Sequence, residues 1–243
     1  MKYSVFAILM FAFSLTVHAG VNSKKKPKVL VLMKTAGYYH KSIPAGAKAI
    51  LQLGAENGFG VDTTRNASVV NTKNLKKYAT IIFLNTTGTI FTDKERAALK
   101  KYINKGGGFV GVHAATDTEY DWPWYNGLVG AYFMSHPKQQ NATCNTINTN
   151  HPSTKHLPAQ WTRFDEWYNF KNISKQINVL LEVDEKTYEG GKNGTFHPMA
   201  WYQNYDGGRS FYTGMGHTDE SYAEPLFLQH LLGGIQYAMG VKK

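Results

Sequence analysis

Residues 106–117, with the sequence Gly-Gly-Gly-Phe-Val-Gly-Val-His-Ala-Ala-Thr-Asp, decide the fold that we predict for this chain. Phe109, Val110 and Val112 form a short apolar run, which is typical of a strand packed on both faces. The glycines before this run follow a helical pattern and can end that helix. His113 comes directly after the strand, and open α/β sheets place their chemistry at the carboxyl ends of their strands. The stretch predicts a buried strand leading to a functional histidine, with a glycine-rich loop beside a core histidine as the alternative.

The segments before this strand alternate between strand and helix patterns. Apolar runs predict strands at residues 28–33, 59–63 and 79–84. A helix is predicted to begin at Pro44, with Ser42 as its candidate cap, and to end at Gly58. A capping box formed by Thr92 and Glu95 predicts a second helix, which leads into the strand described above. This order predicts βαβ units with right-handed crossovers in a mostly parallel sheet.

The carboxyl-terminal half has a different pattern, rich in aromatic residues, histidines and polar turns. It predicts antiparallel strands joined by long loops, at residues 141–150, 165–170 and 179–183, with the middle one at an edge of the sheet. A hairpin is predicted over residues 197–205 and 209–215, because the turn between them is Asp-Gly-Gly. A short helical or irregular segment is expected from Trp122. Ser221 and Glu224 suggest a capping box before a final helix over residues 226–239.

The first residues predict a targeting segment. Lys2 provides a positive charge, and residues 5–17 form an apolar run of the length of a signal-peptide core, too short to span a bilayer comfortably. We expect residues 1–19 to be a signal peptide cleaved after Ala19, followed by a basic tether over residues 20–27. The mature protein is then expected to be exported, to the periplasm or outside the cell, without a membrane span.

Composition and charge exclude several classes of partner and site. The formal net charge is +10, but part of it comes from one lysine run before residue 28 and the other lysines are scattered. Because no basic stripe with interleaved aromatic residues is present, we predict no nucleic-acid partner. Cys144 is the only cysteine, which excludes an intramolecular disulfide and a cysteine metal cluster.

Five motifs occur in order along the chain. They are His113-Ala-Ala-Thr-Asp117, Gly127-x-x-Gly130-x-x-Phe133-x-x-His136-Pro137, Asp165-Glu166-x-Tyr168, His197-Pro198-x-x-Trp201, and Gly208-Arg209-x-Phe211-Tyr212-Thr213-x-x-Gly216-His217. Together they resemble the ThuA-like, trehalose-utilisation family of the class I glutamine-amidotransferase-like superfamily. The resemblance implies one domain over residues 28–240. It also implies a flavodoxin-like three-layer α/β sandwich, in agreement with the order of strands and helices predicted above.

One departure from the wider superfamily bears on mechanism. Glutamine amidotransferases of this fold place a nucleophilic cysteine on a sharp turn after a glycine-rich strand, where this chain has His113. Cys144 lies far away in sequence, with no neighbouring base to activate its thiol. We therefore predict that Cys144 is structural and that the chain does not release ammonia from glutamine through a thioester.

Histidines and carboxylates form the candidate site. Imidazole is a ready base and a ready metal ligand near neutral pH. The predicted catalytic residues are His40, His113, Glu166 and His217. The predicted substrate-binding residues are Asp117, His136, Tyr168, His197, Trp201, Arg209 and Tyr212. A divalent ion such as zinc can be held by imidazoles and carboxylates, and the candidate ligands are His40, His113, His136 and His217. Metal-free acid–base catalysis stays open as the alternative, because no local His-x-x-x-His pair is present.

Two classes of function follow from these residues and the resemblance. The family implies carbohydrate metabolism, so the first hypothesis is an enzyme acting on a sugar, a keto-sugar or a glycoside by isomerisation or cleavage. The second is a non-catalytic carbohydrate-binding protein, which needs the aromatic residues but tolerates loss of the histidines. Both predict a small carbohydrate as partner, and neither fixes an oligomeric state.

Overall fold

The computed structural model describes residues 26–241, so the predicted signal peptide and most of the basic tether lie outside the described residues. The strands are β1 (Lys28–Leu32), β2 (Gly60–Thr64), β3 (Thr80–Leu84), β4 (Gly108–Val112), β5 (Tyr132–Ser135), β6 (Gln140–Thr146), β7 (Gln160–Asp165), β8 (Asn169–Lys171), β9 (Asn178–Val183), β10 (Pro198–Tyr205) and β11 (Gly208–Thr213). The helices are α1 (Ile43–Asn57), α2 (Thr72–Leu75), α3 (Asp93–Asn104), α4 (Pro123–Val129) and α5 (Pro225–Met239). Within residues 26–241, no helix has the length and apolar character needed to cross a membrane.

The main sheet joins a parallel half to an antiparallel half. Its strand order is β2-β1-β3-β4-β11-β10-β9-β6-β7. The pairs from β2 to β11 are parallel, and the pairs from β11 to β7 are antiparallel. Strands β5 and β8 form a separate two-stranded antiparallel sheet. The fold is therefore α/β with a mostly parallel centre and antiparallel strands in the second half, as the sequence predicts.

Strand β4 lies in the middle of this sheet and is packed on both faces. All of its residues are buried, which explains why its sequence is continuously apolar. On one face, a side chain at Gly108 would collide with the backbone of Ala238 in α5. On the other face, Phe109 packs against Tyr125 of α4. Helices therefore cover both faces at this strand.

The residues at the starts of α1, α3 and α5 can be compared with the caps that the sequence predicts. Thr92 and Glu95 form the predicted capping box at α3. Ser42 occupies the cap position of α1, but its hydroxyl donates to the carbonyl of Gly216 rather than capping the helix. The predicted capping box at Ser221 and Glu224 is wrong. Glu224 itself precedes α5, and Ser221 lies in a short 3₁₀ turn where its hydroxyl binds the carboxylate of Asp165.

The predicted single strand over residues 165–170 is divided in the structure. Asp165 ends β7 in the main sheet, whereas Asn169 begins β8 in the small sheet. Glu166, Trp167 and Tyr168 form the connection between the two. The prediction fails because alternation of charged and aromatic residues cannot show that two successive strands pair with different neighbours. This connection brings Glu166 and Tyr168 to the carboxyl end of β4.

Candidate metal and catalytic site

His113 occupies a strained turn directly after β4. Its backbone φ is 47°, in the left-handed region that non-glycine residues rarely adopt. The hydroxyl of Tyr212 donates to the His113 carbonyl at 2.7 Å and holds this turn from the neighbouring strand. His113 Nδ1 lies 2.8 Å from the carbonyl oxygen of Gly214. Because a carbonyl oxygen only accepts, Nδ1 donates its hydrogen to Gly214, and Nε2 points the other way.

Four side chains converge on the point that His113 Nε2 faces. His40, His113, Glu166 and His217 each offer one ligand atom, and these atoms all lie within 4.8 Å of one another. His113 Nε2 is 3.1 Å from His217 Nδ1 and 3.4 Å from Glu166 Oε2. His217 Nδ1 is 3.0 Å from the same carboxylate oxygen. The cluster therefore joins the strained turn after β4, the loop after β1, the connection after β7 and the loop after β11.

The three imidazoles are arranged edge to face. The ring centroid of His40 is 5.0 Å from that of His113 and 5.1 Å from that of His217, with interplanar angles of 87° and 82°. Burial, reinforced by the charges of His113 and His217, lowers the pKa of His40 to about 2. Its Nδ1 is buried and makes no hydrogen bond within the described residues. His40 is therefore a neutral imidazole with a free nitrogen, as a metal ligand has to be.

Glu166 links this cluster to a fourth histidine. Its second oxygen, Oε1, lies 3.2 Å from Nδ1 of His136, whose side chain is 44% exposed. Burial opposes ionisation of Glu166, but hydrogen bonds from His113 and His217 outweigh that effect and hold its pKa well below the ordinary range. Glu166 is therefore an ionised carboxylate between the buried cluster and a ring that reaches solvent.

The donor atoms fit a tetrahedral metal ion. A zinc ion with ligands at 2.0–2.1 Å places neighbouring ligand atoms about 3.3 Å apart. The three distances among His113 Nε2, His217 Nδ1 and Glu166 Oε2 are 3.1, 3.0 and 3.4 Å. His113 Nε2 and the Glu166 carboxylate also face each other, so a proton or a cation is required between them. The Gly214 carbonyl supplies the outer hydrogen bond that commonly orients a ligating histidine.

A cavity opens beside the cluster. Its volume is about 340 Å³, within the range of sites for small molecules. It is lined by Tyr38, His40, Asp117, Phe133, His136, Gln139, Glu166, Tyr168 and His217. The pKa of Asp117 is raised by burial, although the hydroxyl of Tyr120 donates to this carboxyl group at 2.6 Å. The cavity thus has an ionised carboxylate at Glu166 and a second carboxyl group that gains a proton more readily than usual.

The structure brings seven of the predicted residues to one place: His40, His113, Asp117, His136, Glu166, Tyr168 and His217. Tyr168 packs its ring on His113 at 4.1 Å between centroids, and its hydroxyl lies 3.4 Å from His40 Nε2. Asp165, next to Glu166, accepts hydrogen bonds from the backbone amides of Gly216 and His217. Asp165 therefore fixes the loop that carries His217 and has no free oxygen for a ligand of its own.

Four predicted substrate contacts require correction. Trp201 is fully buried and donates to the carbonyl of Val129. Tyr212 is also fully buried, and its hydroxyl supports His113 from behind. Both rings belong to the aromatic core rather than to the cavity wall, because alternation along a hairpin does not show which face is covered.

The other two corrections concern His197 and Arg209. His197 is buried behind Tyr168, where its Nε2 bonds to the Tyr168 carbonyl and its Nδ1 to Glu185, both within 2.8 Å. His197 therefore supports Tyr168, which lines the cavity, but does not line the cavity itself. Arg209 pairs in register with Gly108, at the amino end of β4, and donates to the carbonyls of Ala238 and Gly106. Four strand positions, or about 13 Å, separate that edge from the site.

Three cavity residues are not among the predicted site residues, namely Tyr38, Phe133 and Gln139. Phe133 belongs to the second motif, and its position three residues before His136 is the sequence signal that identifies it as a candidate. Tyr38 precedes His40 by two residues, and its ring meets the His40 ring edge-on at 4.9 Å between centroids. No pattern in the sequence singles out Gln139.

Comparison with known proteins adds a family and a set of related folds. A family model described as "ThuA: Trehalose utilisation" matches residues 28–238. No curated protein matched the chain. A ThuA-like protein from Bacteroides uniformis is similar in structure with a TM-score of 0.75 and 27% identity, over 92% of this chain and 96% of that one.

Two further solved structures share the fold. A ThuA-like protein from Parabacteroides merdae has a TM-score of 0.74 and 19% identity, over 90% of this chain and 93% of that one. A protein from Salmonella typhimurium described as cytoplasmic has a TM-score of 0.62 and 10% identity, over 87% and 98% of the two chains. At these identities the likeness concerns the fold alone.

Proposed function

The chain belongs to the ThuA, trehalose-utilisation family, and from this premise we propose that it is an enzyme acting on a sugar, keto-sugar or glycoside. The family supports a carbohydrate-related role. The observation that carries the enzymatic proposal is the convergence of His113 Nε2, His217 Nδ1 and Glu166 Oε2 within 3.4 Å beside an open cavity. A binding protein needs no such concentration of basic nitrogens and a carboxylate at one point.

We further propose that His40, His113, Glu166 and His217 hold a divalent ion such as zinc. The donor distances, the neutral state of His40 and the carbonyl that orients His113 support this ligand set. A bound ion of this kind would polarise a carbonyl or hydroxyl oxygen of the sugar. His136 was also a candidate ligand, but its Nδ1 contacts Glu166 and the Pro137 carbonyl, so we place it outside the ligand set.

The remaining cavity groups suit proton transfer. His136 bonds to the outer oxygen of Glu166 and reaches solvent, so it can carry a proton between the cluster and the bulk. Asp117 faces the same cavity with a raised pKa, so it can donate a hydrogen bond or a proton to a sugar oxygen. Removal of a proton next to a carbonyl is the common first step of isomerisation and of eliminative cleavage, and these residues serve either.

The position of the cysteine supports a function other than glutamine amidotransfer. Cys144 is buried in β6 opposite Trp161, and burial raises the pKa of its thiol to about 12. A thiol in this state is a poor nucleophile. His113 holds the strained position after β4 where the superfamily places its cysteine. We also propose that the mature protein is exported, on the basis of residues 1–19.

A product assay tests the enzymatic proposal. Purified mature protein is incubated with a panel of disaccharides and their 3-keto derivatives, with added zinc or with a chelator, and products are followed by mass spectrometry. We expect conversion of at least one compound, loss of that conversion with the chelator, and loss in a His113→Ala and His217→Ala double variant. Sugar binding without conversion under any condition would contradict the proposal in favour of the non-catalytic binding protein.

A further inference from the structure

The cavity continues into a second, wider groove. This groove has a volume of about 630 Å³ and is lined by Tyr38, Lys41, Ser42, Gln139, Phe164, His217, Thr218, Asp219 and Glu220. Tyr38, Gln139 and His217 line both spaces, so they stand at the junction between them. The site is therefore a cleft with an inner compartment at the histidine cluster and an outer compartment that opens further to solvent.

Two large aromatic side chains are exposed in the outer groove. Tyr38 is 63% exposed and Phe164 is 49% exposed, and both rings line the same opening. Along β7 the side chains alternate, so that Arg163 and Asp165 point inward and Phe164 points outward. Exposed rings at this place offer flat apolar surfaces to a ligand that has apolar faces and polar edges.

Tyr38 is held in place although its ring is exposed. The hydroxyl of Thr87 donates to the Tyr38 carbonyl at 2.9 Å and accepts from the amide of Gly37 at 3.2 Å. The ring meets His40 edge-on. A platform fixed before binding loses little conformational entropy when a ligand docks, and that raises the affinity it can provide.

The charges of the outer groove favour a neutral ring unit there. Lys41 is the one lysine or arginine among the residues that line this groove, and Asp219 and Glu220 line it as well. The outer groove thus lacks the positive excess of the whole chain, whose formal charge is +10. Phosphate-bearing ligands need several donors or positive groups, whereas hydroxyl-rich neutral ligands are served by mixed polar groups.

We propose that the two compartments are subsites for the two ring units of a neutral disaccharide or similar glycoside. The inner unit lies against the histidine cluster, the outer unit lies on Tyr38 and Phe164, and the linkage between them passes Gln139 and His217. This inference rests on the proposed function, because it assigns the substrate class of the same site. It makes Phe164 a specificity residue for the second ring alone, and Tyr38, at the junction, a residue that meets both rings.

Binding measurements with matched sugars test the inference. Glucose, trehalose and glucose 6-phosphate are titrated by calorimetry into the wild type, a Tyr38→Ala/Phe164→Ala variant and a Phe196→Ala control. Phe196 is 46% exposed but lies outside both compartments. We expect trehalose to bind the wild type at least 10-fold more tightly than glucose, and glucose 6-phosphate to bind no better than glucose. The double variant should lose at least 10-fold in trehalose affinity but less than about 3-fold in glucose affinity, because Phe164 lines the outer groove alone, and the control should match the wild type.

The outcomes distinguish failure of this inference from failure of the proposed function. Glucose and trehalose binding equally well, or trehalose affinity that survives the double substitution, would overturn the outer subsite and leave the inner site intact. Tighter binding of glucose 6-phosphate would overturn the neutral ligand class. No binding of any sugar in this panel, together with no conversion in the product assay, would overturn the proposed function itself.

Discussion

Two groups of histidines in the described part of the chain differ in what surrounds them. His40, His113 and His217 meet the carboxylate of Glu166 beside an open cavity. His151 and His230 lie among aromatic rings at α5, the helix that contains His230 and Tyr237. His151 stacks on Tyr202 at 4.5 Å between centroids, and His230 packs against Phe211 at 5.4 Å. The second group has no carboxylate within ion-pair distance in the described part of the chain.

The difference teaches that burial of a histidine does not by itself indicate function. Burial lowers the pKa of His230 to about 3 and that of His40 to about 2, so both rings are neutral in the folded protein. His230 donates to the Ser153 carbonyl, and its other nitrogen is enclosed without a partner in the described residues. The first group adds a convergent carboxylate and space for a ligand, and these two features mark the site.

Substitutions in the two groups should give the largest contrast in activity. Glu166→Gln removes the negative charge from the cluster but keeps the shape of the side chain. We expect a loss of about 10³-fold in kcat/KM on the sugar that the product assay identifies, because acid–base groups contribute 10²–10⁴-fold. His230→Asn keeps a donor for the Ser153 carbonyl and should stay within about 3-fold of wild type. Equal losses in both variants, measured on protein of confirmed folding, would remove the distinction between the groups.

The lowered pKa of His230 should be detectable in the pH dependence of the free energy of unfolding. His230 is neutral when folded but takes a proton when unfolded below pH 6.5. Its depressed pKa therefore stabilises the fold above pH 6.5, and this contribution is lost as the pH falls towards 3. Between pH 7 and pH 5 the loss is about 2 kcal/mol of unfolding free energy. In denaturant titrations, the free energy of unfolding should fall by this amount less between pH 7 and pH 5 in His230→Asn than in the wild type. An equal fall in both proteins would contradict the assignment of a neutral, buried His230.

A smaller contrast concerns the hydroxyls that support each group. Tyr212 donates to the His113 carbonyl at 2.7 Å, and Tyr237, beside His151, donates to the Gln203 carbonyl at 3.2 Å. Each Tyr→Phe change should cost about 1 kcal/mol of stability. Only Tyr212→Phe should also lower kcat, by about 5-fold to 10-fold, because it relaxes the strained turn that aims His113. Identical kcat values for both variants would show that the turn needs no support from Tyr212.

The sequence predicts the centre of the fold well because the signals there are local. The run from Phe109 to Val112 is buried on both faces, and the Asp-Gly-Gly turn joins β10 to β11. Residues at the ends of parallel strands also fall at one edge by rule, which explains why His113 and His217 were predicted together.

The other site contacts depend on strand pairings between distant parts of the chain, which no local sequence pattern predicts. Strand β4 is fourth and β7 ninth in the sheet order, yet Glu166 at the end of β7 reaches His113. Arg209 has the right residue type but belongs to the amino edge, and Trp201 lies on the covered face. Register and layer position decide these cases, and both are set by the assembled sheet.

The central claim is that His40, His113, Glu166 and His217 form one metal site. The most direct test is the metal content of protein that has been stripped with a chelator, reloaded with zinc and dialysed. The account predicts about one zinc per chain in the wild type, less than about 0.1 in His113→Ala and His217→Ala, and about one in His151→Gln. Wild-type protein without bound zinc, or zinc retained by His113→Ala at the wild-type level, would contradict it.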